Sequence, residues 1–432
     1  MSDVLYEALA RTSLLLRLDA FPGVAASREG DIADGLRSVG VRIVADRANL
    51  ASPNGQTALV TLVCQCVMLG VRLDLDIPDV PQLIPQPPLR ADLPLGSALV
   101  EWAGGLFPGC LIPGESPLIT FAIGDTATSD AVHVTGGDNV AVLDNEQTRA
   151  ERWAGSAPYG AIASAAAGAA EAVRAVIPGL VTQLHQPPPT EITWKPRRFS
   201  PVHLRVPGMV PIREFGDIDI VSAGAITHAA LYTLLRVPAF KAAIRTIDRD
   251  LLGRSNTNRY ALVRAGDIGR SKVDQLPDFA TDAVRITGAA TLFNEDALWD
   301  LGALAPRVLV GVDDIPTRWF VQRQRPEWLG VGGTSHCFVV VSDHRPGQPC
   351  AGCVHPIDDE QPLGEIPTIG FVSLWAGLLL ATSLLEPDAA SRSSTRRIEA
   401  HPMGLYGPVS LRTMPQVHNP RCPVCGIKSS AA

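Results

Sequence analysis

The chain has no excess of basic residues. Lys and Arg number 37 against 44 Asp and Glu, a net charge of −7 over 432 residues, so the totals carry no nucleic-acid footprint. No secretory leader is expected either: residues 1–20 place acids early and lack a basic n-region. That start reads as an amphipathic helix around Leu14-Leu15-Leu16, not as a signal peptide. The most apolar stretch, 366–385, approaches the ~20 residues that a membrane span needs. It contains Pro367, Gly370, Ser373 and Gly377 and has no flanking basic anchors, so it reads as a buried helix. A soluble, cytoplasmic protein without membrane or nucleic-acid partners is expected. No short-period repeat is visible, and the length leaves room for two or three domains.

Cysteine is sparse, at 8 residues, but half of it is patterned: Cys350-x-x-Cys353 and Cys422-x-x-Cys425. Each pair has the spacing of half a tetrahedral four-cysteine zinc site. Both sit in turn-forming sequence, Pro349-Cys-Ala-Gly-Cys and Arg421-Cys-Pro-Val-Cys-Gly426. Chance pairs or disulfides are the alternative. The long separation implies a staple on a larger domain, not a small zinc finger. Cys64 and Cys66 alternate within an apolar run and read as core thiols. This usage fits a reducing compartment.

Residues 1 to about 180 alternate between strand-like and helix-like patterns. Strands are predicted at 41–45, 71–75, 118–124 and 139–143, and helices at 58–69 and 160–176. Such alternation argues for a parallel α/β layer. No complete phosphate-binding fingerprint occurs here; Asn54-Gly55 is the one candidate turn. Pro-rich 77–95 reads as an irregular loop, and His185-Gln-Pro-Pro-Pro-Thr190 as linker. The expected division is an α/β domain at 1–185, a linker at 186–214 and a second α/β domain at 215–432.

The second domain carries the chemistry. A strand at 217–221 runs into Ser222-Ala-Gly-Ala-Ile-Thr-His228 and a helix at 229–236. Strand, small-residue turn and helix make a cradle in which backbone N–H groups approach a phosphate. Gly224 and Ala225 belong to that turn, although the glycine pattern is degenerate. A second strand ends in Asp248-Arg-Asp250, where an acid can bond a ribose hydroxyl. Asn256, Asn258 and Arg259 follow and are candidates for polyphosphate, Arg259 through forked charged hydrogen bonds. Gly269-Arg-Ser-Lys272 adds a cation, expected at a helix start. The apolar strand 308–312 ends at Asp313-Asp314, where a carboxylate can hold magnesium, with Arg318 one helical turn on. Singly, each has an ordinary reading as cap, surface lysine or loop acid.

Taken in order, these motifs resemble the ThiF/MoeB superfamily, which includes the ubiquitin-activating enzymes. The resemblance covers about residues 215–426. It implies two Rossmann-like ThiF-type halves, the N-terminal one degenerate and the C-terminal one active, packed as an internal pseudo-dimer. It implies an adenylyltransferase that activates the C-terminal glycine of a ubiquitin-like or sulfur-carrier protein. By that likeness Asp250 binds ribose, Arg259 and Lys272 the phosphates, Asp313 magnesium and the four cysteines structural zinc. The overall plan looks like the activating enzyme of bacterial ubiquitin-like conjugation operons linked to phage defence, which implies a conjugating-enzyme-like partner.

Ser222 and His228 depart from the family's small glycines, which is expected to narrow the nucleotide pocket, and Asp314 stands where the family has Asn. The stretch 358–370, where several relatives carry a thioester cysteine, has none. Cys337, beside His336, is the spare thiol of the second half; it is either that acceptor or a core residue at the start of strand 338–341, with a partner's thiol as the alternative. Two rival readings remain. One is an adenylyltransferase for a peptide or sulfur carrier in biosynthesis, the other a scaffold that no longer binds ATP. An NAD oxidoreductase leaves the Asn/Arg/Lys series without a role.

Overall fold

A computed structural model gives the fold. It describes residues 6–10, 12, 29–114, 117–183, 202–203, 214–355, 367–386, 396–402 and 409–426. The expected linker at 185–190, the Leu14–Leu16 run and most of 358–370 lie outside these.

Among the described residues the chain forms two sheets. The first contains β1 (Gly40–Val44), β2 (Arg72–Asp76), β3 (Ile119–Ile123), β4 (Ala131–Gly136), β5 (Val140–Asp144) and β6 (Val202–His203), in the order β2-β1-β3-β4-β5-β6. The four strands β1 to β4 run parallel; β5 and β6 are antiparallel. The second contains β7 (Glu214–Val221), β8 (Lys241–Ile247), β9 (Val284–Ala289), β10 (Arg307–Val310), β11 (Trp328–Ser335), β12 (Phe338–His344), β13 (Arg396–His401) and β14 (Ser410–Pro415). Its order is β14-β13-β12-β11-β10-β7-β8-β9, with β7 to β11 parallel and the rest antiparallel. Without the edge strands β9 and β14, the second sheet repeats the walk of the first.

Nine helices accompany the sheets among the described residues: α1 (Glu29–Arg37), α2 (Pro53–Met68), α3 (Leu95–Leu106), α4 (Tyr159–Gln183), α5 (Ala225–Leu234), α6 (Glu295–Leu301), α7 (Ile315–Arg323), α8 (Ala351–Val354) and α9 (Gly370–Leu385). The start of α2 is set by Pro53 at its first position and Ser52, whose hydroxyl accepts from Gly55 N at 3.0 Å. This corrects the expected helix start at 58 and removes Asn54-Gly55 as a phosphate turn. Gly55 lies inside the first helical turn, where a Cβ would sit 1.9 Å from the Asn49 carbonyl oxygen. Asn54 is buried and donates to Asp138 and the Ala154 carbonyl.

Within the apolar run at 366–385, residues 370–385 form α9, buried along its whole length. It packs on α5, α4, β11 and β12, which explains a helix apolar all round without a bilayer. No helix of the described residues is long and apolar enough to cross a membrane. Gly377 of α9 meets α5 so closely that a Cβ would stand 2.3 Å from the Ala229 Cβ and 2.4 Å from Ala230 N. Helix propensity alone would make Gly377→Ala stabilising by about 1 kcal/mol. Steric overlap is expected to reverse the sign and cost about 3 kcal/mol, read from a urea denaturation midpoint.

One apolar core runs through the helices of both sheets and across the seam between them. Polar bonds also cross it. Thr61 Oγ1 meets Tyr232 Oη at 2.8 Å, and Trp102 Nε1 donates to the Val263 carbonyl at 2.9 Å. The wholly buried Arg236 donates to Gln86 Oε1 at 3.0 Å and to the Pro87 carbonyl at 2.6 Å.

One further expectation is corrected. Gly269–Lys272 does not open a helix; it is a turn bridged to Leu251 and followed by a short 3-10 turn, Leu276–Phe279. Arg396 and Arg397 lie on β13 and pair with Glu386 and Glu399.

Candidate active site

The parallel strands of the second sheet reverse their order of addition between β7 and β10, and open α/β sheets bind ligands at such a point. A cavity of about 390 Å³ lies there, at the C-terminal ends of β7, β8 and β10. Its floor is the turn from β7 into α5. Ser222 adopts φ 88°, a left-handed conformation that favours glycine. Its hydroxyl accepts from Gly224 N at 3.0 Å, and its carbonyl accepts from Thr227 Oγ1 at 2.7 Å. Gly224 and Ala225, the small residues predicted for the cradle, line the cavity at the start of α5.

His228 departs from expectation. It lies inside α5, is completely buried and is absent from the lining, so it does not narrow the cavity. Its ring packs on Tyr260, at 4.4 Å between centroids, and Nε2 meets Gln275 at 3.1 Å. Tyr260 in turn lines the cavity.

Asp248 and Asp250 follow β8 directly and divide the work. Asp248 accepts from Ala223 N at 2.8 Å and from Asp250 N at 2.9 Å, so it organises the turn as well as lining the cavity. Asp250 forms an ion pair with Lys272 at 2.8 Å; its side chain is 57 % exposed and that of Lys272 13 %. Burial opposes the Lys272 charge, but Tyr260, Asp248 and Asp250 outweigh it and hold the ammonium's pKa above the ordinary lysine value.

Asn256 and Arg259 line the cavity from the next loop. Asn256 Oδ1 accepts from Gly253 N at 2.8 Å, closing the 3-10 turn Arg254–Asn256. Asn258 corrects its prediction, because it is buried behind Arg259 and does not line the cavity. It donates to Thr12 Oγ1 at 2.8 Å and accepts from Arg259 at 2.8 Å, tying the guanidinium to the N-terminal segment.

Asp313 and Asp314 complete the lining, and only Asp314 has a structural task in the backbone. It caps α7 by accepting from Thr317 N at 2.7 Å. Arg318 is buried and donates twice to the Val312 carbonyl, at 3.0 and 2.7 Å, beside Asp313. Burial lowers the Arg318 pKa, against the opposing fields of Asp313 and Asp314.

Cys337 does not line this cavity. It sits at the β11–β12 turn, partly buried against the core, while Thr334 of the same β11 end does line it. His336 Nδ1 meets Ser335 Oγ at 3.2 Å.

The four cysteines Cys350, Cys353, Cys422 and Cys425 converge, with all Sγ atoms within 4.8 Å of one another. Neighbouring sulfurs stand 3.3 to 3.8 Å apart. Four ligands at the Zn–S distance of about 2.3 Å place sulfurs roughly 3.8 Å apart, so the set fits one tetrahedral ion. Val424 N and Cys425 N donate to Cys422 Sγ at 3.3 and 3.4 Å, and Asn419 N to Cys353 Sγ at 3.5 Å. Backbone amides aimed at sulfur favour thiolates. Burial opposes ionisation of Cys422, yet the Cys425 and Val424 amides bring its pKa below the usual thiol value.

Comparison with known proteins adds likeness at a distance. No family model matches the chain. The uncharacterized protein y4jF of Sinorhizobium fredii (strain NBRC 101917 / NGR234) is 27 % identical over 293 residues, covering 62 % of this chain and 54 % of y4jF. The chain thus spans about half the length of that curated relative. Among solved structures, E. coli MccB is 17 % identical with a TM-score of 0.40, over 51 % of this chain and 67 % of that one. The same protein with ATP gives 18 % and 0.40, over 49 % and 67 %. PaaA gives 15 % and 0.35, over 46 % and 64 %. Likeness at this level carries no functional weight.

Several lining residues escaped the sequence reading. Thr368 and Ser373 face the cavity and meet each other at 3.4 Å. Their signal was present as hydroxyls interrupting the most apolar stretch of the chain. Thr317, Thr334 and the lip residue Leu292 carried no comparable mark.

The buried histidines make stability pH-dependent. Burial lowers the pKa of His228 to about 3 and of His344 to about 4. Both are neutral when folded, so below about pH 6.5 the unfolded chain binds more protons than the folded one. Stability therefore falls as pH falls, by up to about 1.4 kcal/mol per pH unit for each histidine. Urea midpoints between pH 7 and 5 check this, and a His228→Asn variant should flatten the slope.

Proposed function

We propose that this protein is an ATP-dependent adenylating enzyme of ThiF/MoeB type, acting on the C-terminal carboxylate of a small protein or peptide. The observation that carries the reading is convergence. Asp250, Arg259 and Lys272, spread along the connection from β8 to β9, and Asp313, after β10, line one cavity at the switch point of a parallel sheet. Its volume, about 390 Å³, lies in the range of small-ligand sites.

The chemistry asks little of covalent catalysis. A carboxylate oxygen attacks the α-phosphorus, forming a P–O bond as the bond to the bridging oxygen breaks and pyrophosphate leaves. The attacking carboxylate is already an anion, so no general base is required. Lys272 and Arg259 hold the polyphosphate, Asp250 the ribose, and the Gly224–Ala225 turn approaches the phosphates. Asp313 would hold a magnesium ion, which when bound neutralises charge on the leaving group. Positioning and electrostatics supply the rate. The cysteine cluster holds a structural zinc ion.

A ubiquitin-like protein ending in glycine is the preferred substrate, because a large first half accompanies the site and simpler biosynthetic adenylating enzymes need only the second. We read that half as a degenerate ThiF-type unit; its repeat of the second sheet's strand walk supports this. A conjugating-enzyme-like protein and a role in antiviral conjugation follow from the same reading, and a short peptide or sulfur carrier is the rival. ATP–pyrophosphate exchange decides. Exchange dependent on the ubiquitin-like protein supports the reading; exchange with the peptide alone supports the rival. No exchange with either, from folded protein, overturns adenylation.

A further inference from the structure

Tyr260 follows the Asn256–Arg259 series and has none of the roles assigned above. Its backbone N–H donates to the Asn256 carbonyl at 3.1 Å, so the turn that brings Asn256 and Arg259 to the cavity also brings this ring. The residue is 3 % exposed. His228 packs on the ring from inside α5, with centroids 4.4 Å apart, and the Arg259 guanidinium stands 5.5 Å from the ring's centroid. The hydroxyl reaches the floor of the cavity: a Cβ on Gly224 would lie 4.0 Å from Tyr260 Oη.

The Lys272 ammonium is a polar neighbour of this hydroxyl. An ammonium only donates, so it cannot take the phenol proton. Asp248 acts on the phenol through its charge, but its two carboxylate oxygens already accept from Ala223 N and Asp250 N. Burial raises the Tyr260 pKa, against the opposing fields of Lys272 and Arg259, so the phenol keeps its proton. A protonated donor therefore faces the turn at which the backbone can approach a phosphate.

We propose that Tyr260 Oη donates a hydrogen bond to the phosphate seated on the Ser222–Gly224 turn, as a third phosphate ligand beside Lys272 and Arg259. This role rests on the nucleotide reading of the cavity given above. A hydrogen bond to an ionised acceptor is stronger than one between neutral groups. A neutral phenol supplies it without adding positive charge to the Lys272–Arg259 pair, whose like charges already repel. The ring is also fixed before any ligand arrives, because the His228 behind it is held by Gln275 at 3.1 Å. Little ordering is then left for the binding step.

The test is equilibrium binding of ATP to the full chain in four forms: the parent, Tyr260→Phe, Lys272→Ala and the double variant. Tyr260→Phe keeps the ring against His228, so its melting temperature should match the parent's. It is expected to weaken ATP binding about tenfold, the worth of one hydrogen bond to a charged group. In the Lys272→Ala background the same change should still cost about threefold or more, because Oη touches the phosphate and not only the ammonium. Equal affinity of Tyr260→Phe and the parent overturns the proposal. So does a loss that vanishes once Lys272 is absent, which would make the hydroxyl a positioning group for Lys272. A parent that binds no ATP overturns it together with the nucleotide reading. ATP–pyrophosphate exchange keeps this role and adenylation apart. Full exchange by Tyr260→Phe with unchanged ATP affinity sinks the role of the hydroxyl and leaves adenylation standing. ATP binding that depends on the hydroxyl, without exchange on any substrate, does the reverse.

Discussion

Replacing Asp313 by alanine is expected to cut ATP–pyrophosphate exchange by about 10²–10³-fold, the scale on which one preorganised electrostatic group contributes to a transition state. Asp313 lines the cavity, while its neighbour Asp314 is engaged in capping α7. The two acids therefore predict opposite phenotypes. Asp313→Ala removes a charge from the reacting site and no hydrogen bond that holds the fold, so its melting temperature should stay near the parent's. Asp314→Ala removes a helix cap worth about 1 kcal/mol and should lower stability while exchange persists. Exchange rates and melting curves on both variants separate these outcomes. If Asp313→Ala retains full exchange, Asp313 has no part in the chemistry. If Asp314→Ala is the inactive one, the roles are reversed.

The sequence made this contrast only partly legible. Its patterning located β1, β2, β3, β5 and β7 to within a residue or a few, because apolar residues at alternate positions, as in β1 and β2, turn one face of a strand to the core. The acids and cations of the second half could be read because charged residues directly after parallel strands can only gather at one edge. Asn258 was misplaced because its neighbours Asn256 and Arg259 do face the cavity, and nothing local shows that it turns to Thr12 across the seam. His228 was misplaced for a related reason. In one dimension it looks like the last turn residue, whereas α5 begins at Ala225 and buries it against Tyr260 and Gln275. Spacing reveals what is sequential. Contacts made through the seam between two halves are not.

A run of buried polar contacts within the second half leads from the cysteine cluster to the site. His344 Nδ1 meets the Pro349 carbonyl at 2.9 Å, beside Cys350. His344 Nε2 meets Ser342 Oγ at 2.8 Å, which meets His355 Nε2 at 3.0 Å. His355 Nδ1 then meets Arg318 at 3.3 Å, and Arg318 holds the Val312 carbonyl next to Asp313. Cys422→Ser is accordingly expected to release the bound metal and cost on the order of 5 kcal/mol, less than the ~10–16 kcal/mol of isolated finger peptides because a large core remains. Metal content and a urea midpoint measure both effects; a variant that keeps its metal and its stability removes the metal assignment. His355→Ala tests the coupling itself. It leaves all four sulfurs in place but unties Arg318, so metal content should hold while exchange falls. Were exchange unchanged with the metal retained, the cluster would be a staple for the chain end and nothing more, because the buried path from Pro349 to Val312 would then carry no constraint that Asp313 needs.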